Sequence, residues 1–277
     1  MATAEREDTV SGGDGTAGAV AVSLEGVTKT YASSGGVIDA VRDVSLRVRG
    51  GEVISIVGPS GCGKSTVLKM IAGLIPHDRG TLEVHGAPAR AGRRDCGIML
   101  QSPVLLPWRT VWDNVLLPVE IFKLDRAAAE ERAAALLRLV GLDGFERKHA
   151  WELSGGMQQR ASLVRLLVFE PDILLLDEPF AALDEFTRER LNFEMLAIHE
   201  RLRPAIVYIT HNILESVIMS DRVLVMTPRP GEIVDVVEVD LPRPRRREMF
   251  ESPETVRHVA RIRRALGVGG DSQGSGT

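Results

Sequence analysis

Gly58-Pro59-Ser60-Gly61-Cys62-Gly63-Lys64-Ser65 has the spacing G-x-x-x-x-G-K-[ST]. Glycines at these positions let backbone N–H groups turn inward around phosphate oxygens without Cβ clashes. Lys64 would bring a full positive charge to the β- and γ-phosphates of a nucleoside triphosphate, and the Ser65 hydroxyl would face Mg2+. Thr66 follows directly and is counted with the nucleotide contacts. The apolar run Val53–Val57 precedes the loop and the helical stretch Ser65–Ala72 follows it. A helix N-terminus there adds partial positive charge. The bland alternative is a chance Gly-rich turn. Residue usage produces this pattern in a chain of this length in about one per cent of cases, and the strand–loop–helix setting lowers that further.

A second constellation is Ile173-Leu174-Leu175-Leu176 running into Asp177-Glu178. A buried strand ending in two acids presents them at the C-terminal edge of a sheet, where open α/β sheets bind ligands. Asp177 could then hold Mg2+, directly or through water, and Glu178 could act as general base toward an attacking water. Alone, this is a polar strand end of a common kind; beside the phosphate loop it gains meaning. A third element, Ser154-Gly155-Gly156 ahead of a helix, is either a second anion site or an ordinary serine cap.

These residues need a scaffold, and the rest of the chain reads as one. The 277 residues are 44% hydrophobic and 26% charged with a net charge of −4, which supplies a core and gives no hint of a nucleic-acid partner. The two cysteines, Cys62 and Cys96, offer no disulfide framework. No apolar run is long enough to span a bilayer and the N-terminus lacks a secretory pattern. Val20–Leu24, Val41–Val48, Val53–Val57, Leu82–Val84, Gly97–Leu100, Ile173–Leu176, Ala205–Ile209, Arg222–Met226 and Ile233–Val239 are predicted strands. Arg126–Val140, Met157–Phe169, Glu185–Arg201 and Pro253–Leu266 are predicted helices. Their alternation predicts an α/β fold with a parallel sheet. The expected divisions are disordered tails at 1–19 and 269–277, an ATPase domain at 20–240 with a mostly helical insert at about 102–160, and a C-terminal loop and helix at 241–268.

Leu153-Ser154-Gly155-Gly156-Met157-Gln158-Gln159 resembles the LSGGQ signature of ATP-binding cassette (ABC) ATPases, with Met157 replacing the usual glutamine. It stands before the acidic strand by the family's interval. Gln101 resembles the Q-loop glutamine, Ala181-Ala182-Leu183-Asp184 the D-loop, His211 the switch histidine, and Tyr31 the adenine-stacking aromatic residue. The resemblance implies a P-loop NTPase (RecA-like) core, an antiparallel β subdomain and a helical insert. It implies two copies meeting head to tail around two ATP molecules, each held by one copy's P-loop and the other's Ser154, Gly155 and Gly156. Gln101 would reach Mg2+, His211 would contact the γ-phosphate, and Asp184 would signal across the dimer.

Gln101–Val111, with Leu105-Leu106-Pro107-Trp108, and the turn Thr227-Pro228-Arg229-Pro230-Gly231 are similar to stretches in nitrate, sulfonate and taurine importer ATPases. That implies a peripheral subunit on the cytoplasmic face of the cell membrane, bound to integral-membrane permeases and served by a solute-binding protein. An exporter ATPase or a soluble non-transport ABC ATPase stays open beside it. Core packing is the alternative role for Leu105, Leu106 and Trp108. The basic run Arg243–Arg247, broken by Pro244, is read as a solvated loop, and Cys62 as a small side chain rather than a redox switch.

Overall fold

The computed structural model describes residues 18–33 and 36–267, so the predicted tails lie outside the described residues apart from Gly18 and Ala19. The chain runs β1 (Val20–Ser33), β2 (Gly36–Arg49), β3 (Val53–Val57), α1 (Lys64–Ile71), β4 (Arg79–Val84), β5 (Ala87–Pro88) and β6 (Cys96–Met99). The insert follows as α2 (Val111–Val115), α3 (Leu117–Phe122) and α4 (Arg126–Leu139). The chain continues as α5 (Gly155–Leu167), β7 (Ile173–Asp177), α6 (Glu185–Leu202), β8 (Ala205–Ile209), α7 (Ile213–Met219), β9 (Arg222–Met226), β10 (Ile233–Glu238) and α8 (Pro253–Ala265).

Two sheets result. One is antiparallel, in the order β2-β1-β4-β5; the other has six strands in the order β10-β9-β3-β8-β7-β6. In the larger sheet β9, β3, β8, β7 and β6 pair in parallel and only β10 is antiparallel. Every residue of β3, β7 and β8 is buried. Alternate side chains enter two different cores. Val53, Val57, Leu174, Leu176, Ile206 and Tyr208 pack with the helices and insert. Ile54, Ile56, Ile173, Leu175, Val207 and Ile209 pack with α1 and the antiparallel sheet. Burial on both faces is why these strands read as unbroken apolar runs.

Differences from the sequence reading have local causes. β1 was expected to end at Leu24 but continues to Ser33. Its register with β2 shifts between Leu24 and Val27, with Gly26 at φ 61°, so the apolar alternation breaks there while the strand does not. The Arg243–Arg247 run is only partly a solvated loop: Pro244, Arg246 and Arg247 are exposed, but Arg243 and Arg245 are not. Arg245 is only 5% exposed and donates to the Ser220 carbonyl at 2.9 Å. Arg243 donates to Asp221 Oδ1 at 2.8 and 3.0 Å. Asp221 in turn accepts from the Val53 N–H at 2.9 Å, at the start of the strand that leads to the phosphate loop. The C-terminal segment is thus fastened beneath β3 by its arginines.

His199 ties α6 to the turn before β3, its Nε2 lying 3.0 Å from the Gly51 carbonyl. Burial, with Arg243 nearby, lowers its pKa from 6.5 to about 4. The imidazole is therefore neutral in the fold while the unfolded chain still binds a proton. Its contribution is complete above about pH 6.5 and is lost as pH falls toward about 4. Thermal unfolding of wild type and His199→Gln across that window should show a steeper acid-side fall in Tm for wild type. Parallel curves would contradict the neutral-histidine assignment.

Candidate active site

The parallel strands end at one edge of the large sheet, and the predicted residues lie there. β3 delivers the phosphate loop at Gly58–Ser65, β6 delivers Gln101, β7 delivers Asp177 and Glu178, and β8 delivers His211. Because Asp177 pairs in register with Ile209, the Glu178 N–H reaches the Ile209 carbonyl at 3.0 Å. Glu178 then turns at φ 47°. Its side chain stands between its neighbours' loops: Gln101 Nε2 donates to Oε2 at 3.1 Å and His211 Nδ1 lies 3.6 Å from the same oxygen. Neighbouring strands sit about 4.8 Å apart, which puts three side chains from β6, β7 and β8 within reach of one atom.

The phosphate loop is wedged between two walls. A Cβ on Gly63 would lie 2.6 Å from the Ala40 carbonyl oxygen, and one on Gly58 2.9 Å from that of Met226. Gly63 itself, at φ 107°, opens α1. Lys64 is buried, and its ammonium donates to the carbonyls of Gly58 at 2.8 Å and Pro59 at 3.0 Å, so it arches back over the loop. Cys62 is buried beneath it. The Ser65 hydroxyl donates to Asp177 Oδ1 at 3.0 Å. Burial, with Glu178 alongside, raises the Asp177 pKa, while the Ser65 bond opposes the rise.

A cleft of about 380 Å3 opens over the loop, lined among others by Tyr31, Ser60, Lys64, Ser65, Thr66 and Gln101. Tyr31 presents its ring there, 40% exposed, with Lys29 Nζ 5.6 Å from the ring centroid. Lys29 is in turn bonded to Asp78 at 2.9 Å, which also accepts from the Thr30 N–H. Ser154, Gly155, Gly156 and Asp184 are not among the residues lining this cleft. Ser154 caps α5 by accepting from the Met157 N–H at 3.3 Å, and Asp184 caps α6 by accepting from Thr187 N–H at 2.9 Å. The signature turn thus lies outside the phosphate-loop cleft of its own chain.

Three residues join the site to which the sequence reading gave no role of their own, Gln159 and Arg229 having been named there only as members of motifs. Gln159 is buried, and its amide donates to the backbone carbonyls of Gln101 at 3.4 Å and Glu178 at 3.3 Å. It joins the signature helix to both loops. Its place two residues beyond the signature's Met157 offered no chemical signal. Arg229 lines the cleft and donates to the Gly61 carbonyl at 3.1 Å. Glu215 lies buried behind His211.

Fold and loop together define a P-loop nucleoside triphosphatase. Residues 41–181 match the ABC transporter family. The ABC transporter ATP-binding protein MJ0412 of Methanocaldococcus jannaschii is 39% identical over 243 residues, covering 88% of this chain and 91% of that protein. The taurine import ATP-binding protein TauB of Burkholderia thailandensis is 40% identical over 217 residues, covering 78% of this chain and 84% of that protein. The dimeric post-hydrolysis structure of the ATP-binding cassette MJ0796 bound to ADP and Pi superposes with a TM-score of 0.72 at 31% identity, covering 80% of this chain and all of that one. The chain belongs to the ABC transporter family, and its activity is that of the family's ATPase cassette.

The Thr227–Gly231 turn closes the outer wall of the loop. Gly231 donates its N–H to the Ala40 carbonyl at 3.1 Å, and a Cβ there would lie 1.9 Å from the Cys62 carbonyl oxygen. Gly231→Ala should therefore displace the phosphate loop. Calorimetry should show ATP affinity weakened by about ten-fold or more, together with a lower Tm; unchanged affinity would refute the wedge.

Proposed function

We propose that this chain is the ATP-hydrolysing subunit of an importer for nitrate, a sulfonate, taurine or a similar small solute, working as a head-to-tail dimer on a membrane permease. The observation that carries the ATPase half is the convergence of Gln101, Glu178 and His211 at the edge that also bears the Lys64 loop. The backbone N–H groups of Gly58–Ser65 and the Lys64 ammonium hold the triphosphate, and Tyr31 stacks on the base. Glu178 takes the proton of the attacking water, held in place by Gln101 and His211. His211 also contacts the γ-phosphate. Ser154, Gly155 and Gly156 of the partner subunit close over the same nucleotide, and Asp184 relays that closure across the interface.

The oxygens near Asp177 fit Mg2+. An octahedral ion with bonds of about 2.1 Å needs neighbouring oxygens about 3 Å apart, the separation of Ser65 Oγ and Asp177 Oδ1. Gln101, which lines the same cleft as Ser65, would help to hold the ion. When bound, the ion supplies positive charge that steadies the phosphate oxygens. It also favours the ionised form of Asp177, which burial alone disfavours.

The import half rests on likeness to the taurine import protein and on a surface. Trp108, 71% exposed, together with Val104 and Ile121, presents apolar area beyond Gln101, where core packing would have hidden it. Leu105 does pack partly against the core. Asn114, wholly buried, fixes this segment by accepting from the Leu106 N–H and donating to the Leu106 and Thr110 carbonyls. Exposed apolar side chains in the segment that follows Gln101 suit a permease helix that must sense the nucleotide. No described helix is long and apolar enough to cross a membrane.

Glu178→Gln should keep ATP affinity within about two-fold and lower turnover by about a hundred-fold or more. Lys64→Ala should instead weaken binding itself. Near-normal turnover in the first variant, or unchanged calorimetric affinity in the second, would refute the respective role. Copurification of the chain with an integral-membrane permease tests the transport assignment, and recovery with ribosomes or DNA-repair proteins would refute it.

A further inference from the structure

We propose that Glu215 is a positioning residue for His211, fixing the switch loop from behind. Its carboxylate is 7% exposed and lies on α7, four residues beyond His211. Burying a carboxylate is costly unless its lone pairs are satisfied. Here Oε1 accepts from the Tyr208 hydroxyl at 2.7 Å and from Asn192 Nδ2 at 2.7 Å, and Oε2 accepts from the Thr210 hydroxyl at 2.5 Å. The Glu215 N–H donates to Asn212 Oδ1 at 3.1 Å, and the Asn212 N–H donates to Thr210 Oγ1 at 3.0 Å.

The residues on both sides of His211 are therefore tied into one buried network, while the His211 side chain itself is 61% exposed. With most of the imidazole uncovered among the described residues, its place 3.6 Å from Glu178 depends on where Thr210 and Asn212 are held. Asn192 belongs to α6, which Asp184 opens, so the network also joins the cross-dimer loop to the switch. Glu215, like His211, is not among the residues lining the cleft over the phosphate loop, and unlike His211 it is buried. It lines a small cavity with Glu178, Arg188 and His211, directly behind the reacting edge. A glutamine at this position keeps the volume but replaces one acceptor by a donor, facing a hydroxyl that already donates.

This inference rests on the ATPase reading and on the role given there to His211. Steady-state ATP turnover of the full chain is compared for wild type, Glu215→Gln, His211→Ala and the double variant, with ATP affinity measured by calorimetry. The expected result for Glu215→Gln is a kcat lower by about ten-fold or more, with KM and affinity within about two-fold. The double variant should be no slower than His211→Ala, because Glu215 acts only through the histidine. Wild-type kcat in Glu215→Gln, a raised KM with kcat kept, or losses that multiply in the double variant would overturn the proposal. Should Glu215→Gln not fold, Tyr208→Phe, which removes one donor to the same oxygen, must show the same kcat loss and the same non-additivity, and independence from His211 there would also overturn it. Full activity in His211→Ala would sink the histidine reading and this proposal together. Loss in His211→Ala without loss in Glu215→Gln would sink the Glu215 role alone.

Discussion

The parallel register of β3, β8, β7 and β6 is the constraint on which everything else depends. These strands pair residue for residue, Ile56 with Ile209, Asp177 with Ile209 and Met99 with Leu176. A one-residue slip in any of them would exchange the two cores, because alternate side chains enter opposite layers. The same slip would carry Gln101, Glu178 or His211 away from the shared carboxylate oxygen. Core packing and catalytic geometry are therefore fixed together. Apolar burial holds a charged cluster in place without any of the strands contributing a reactive side chain before its last residue.

Around that edge the chain uses backbone more than side chains. The phosphate loop is positioned by close approach to β2 and β9, where glycines admit carbonyl oxygens. Gln159 fastens the signature helix to the Gln101 and Glu178 loops through carbonyls. Arg243 and Arg245 reach Asp221 and Ser220, behind the start of β3. Such contacts are rigid and local, which suits a site that must hold a polyphosphate at fixed angles. Ser154 and Gly155 of the signature turn, and Trp108, lie outside the cleft and are exposed.

Much of this was legible in the sequence because the decisive residues cluster in short spans. Gly58–Ser65 and Asp177–Glu178 announce their chemistry by type and spacing, and the apolar runs before them announce buried strands. The family's match over 41–181 agrees with the resemblance seen at Ser154–Gly156. What sequence did not reveal are residues whose meaning is tertiary. Arg245 looked solvated because nothing local shows that Ser220 waits for it. Glu215 gave no signal in the sequence because its partners Asn192 and Tyr208 are 23 and 7 positions away. β1 looked short because a bulge breaks alternation without ending a strand.

The central claim is that one chain carries half a site at each of two places, and that ATP joins two chains to complete both. Sedimentation of Glu178→Gln with ATP, alone and combined with Gly155→Glu, tests this most directly. The account predicts a dimer holding two nucleotides for the first, and monomers that still bind one ATP each for the combination. An ATP-bound monomer for Glu178→Gln alone, or a dimer that survives Gly155→Glu, would contradict it.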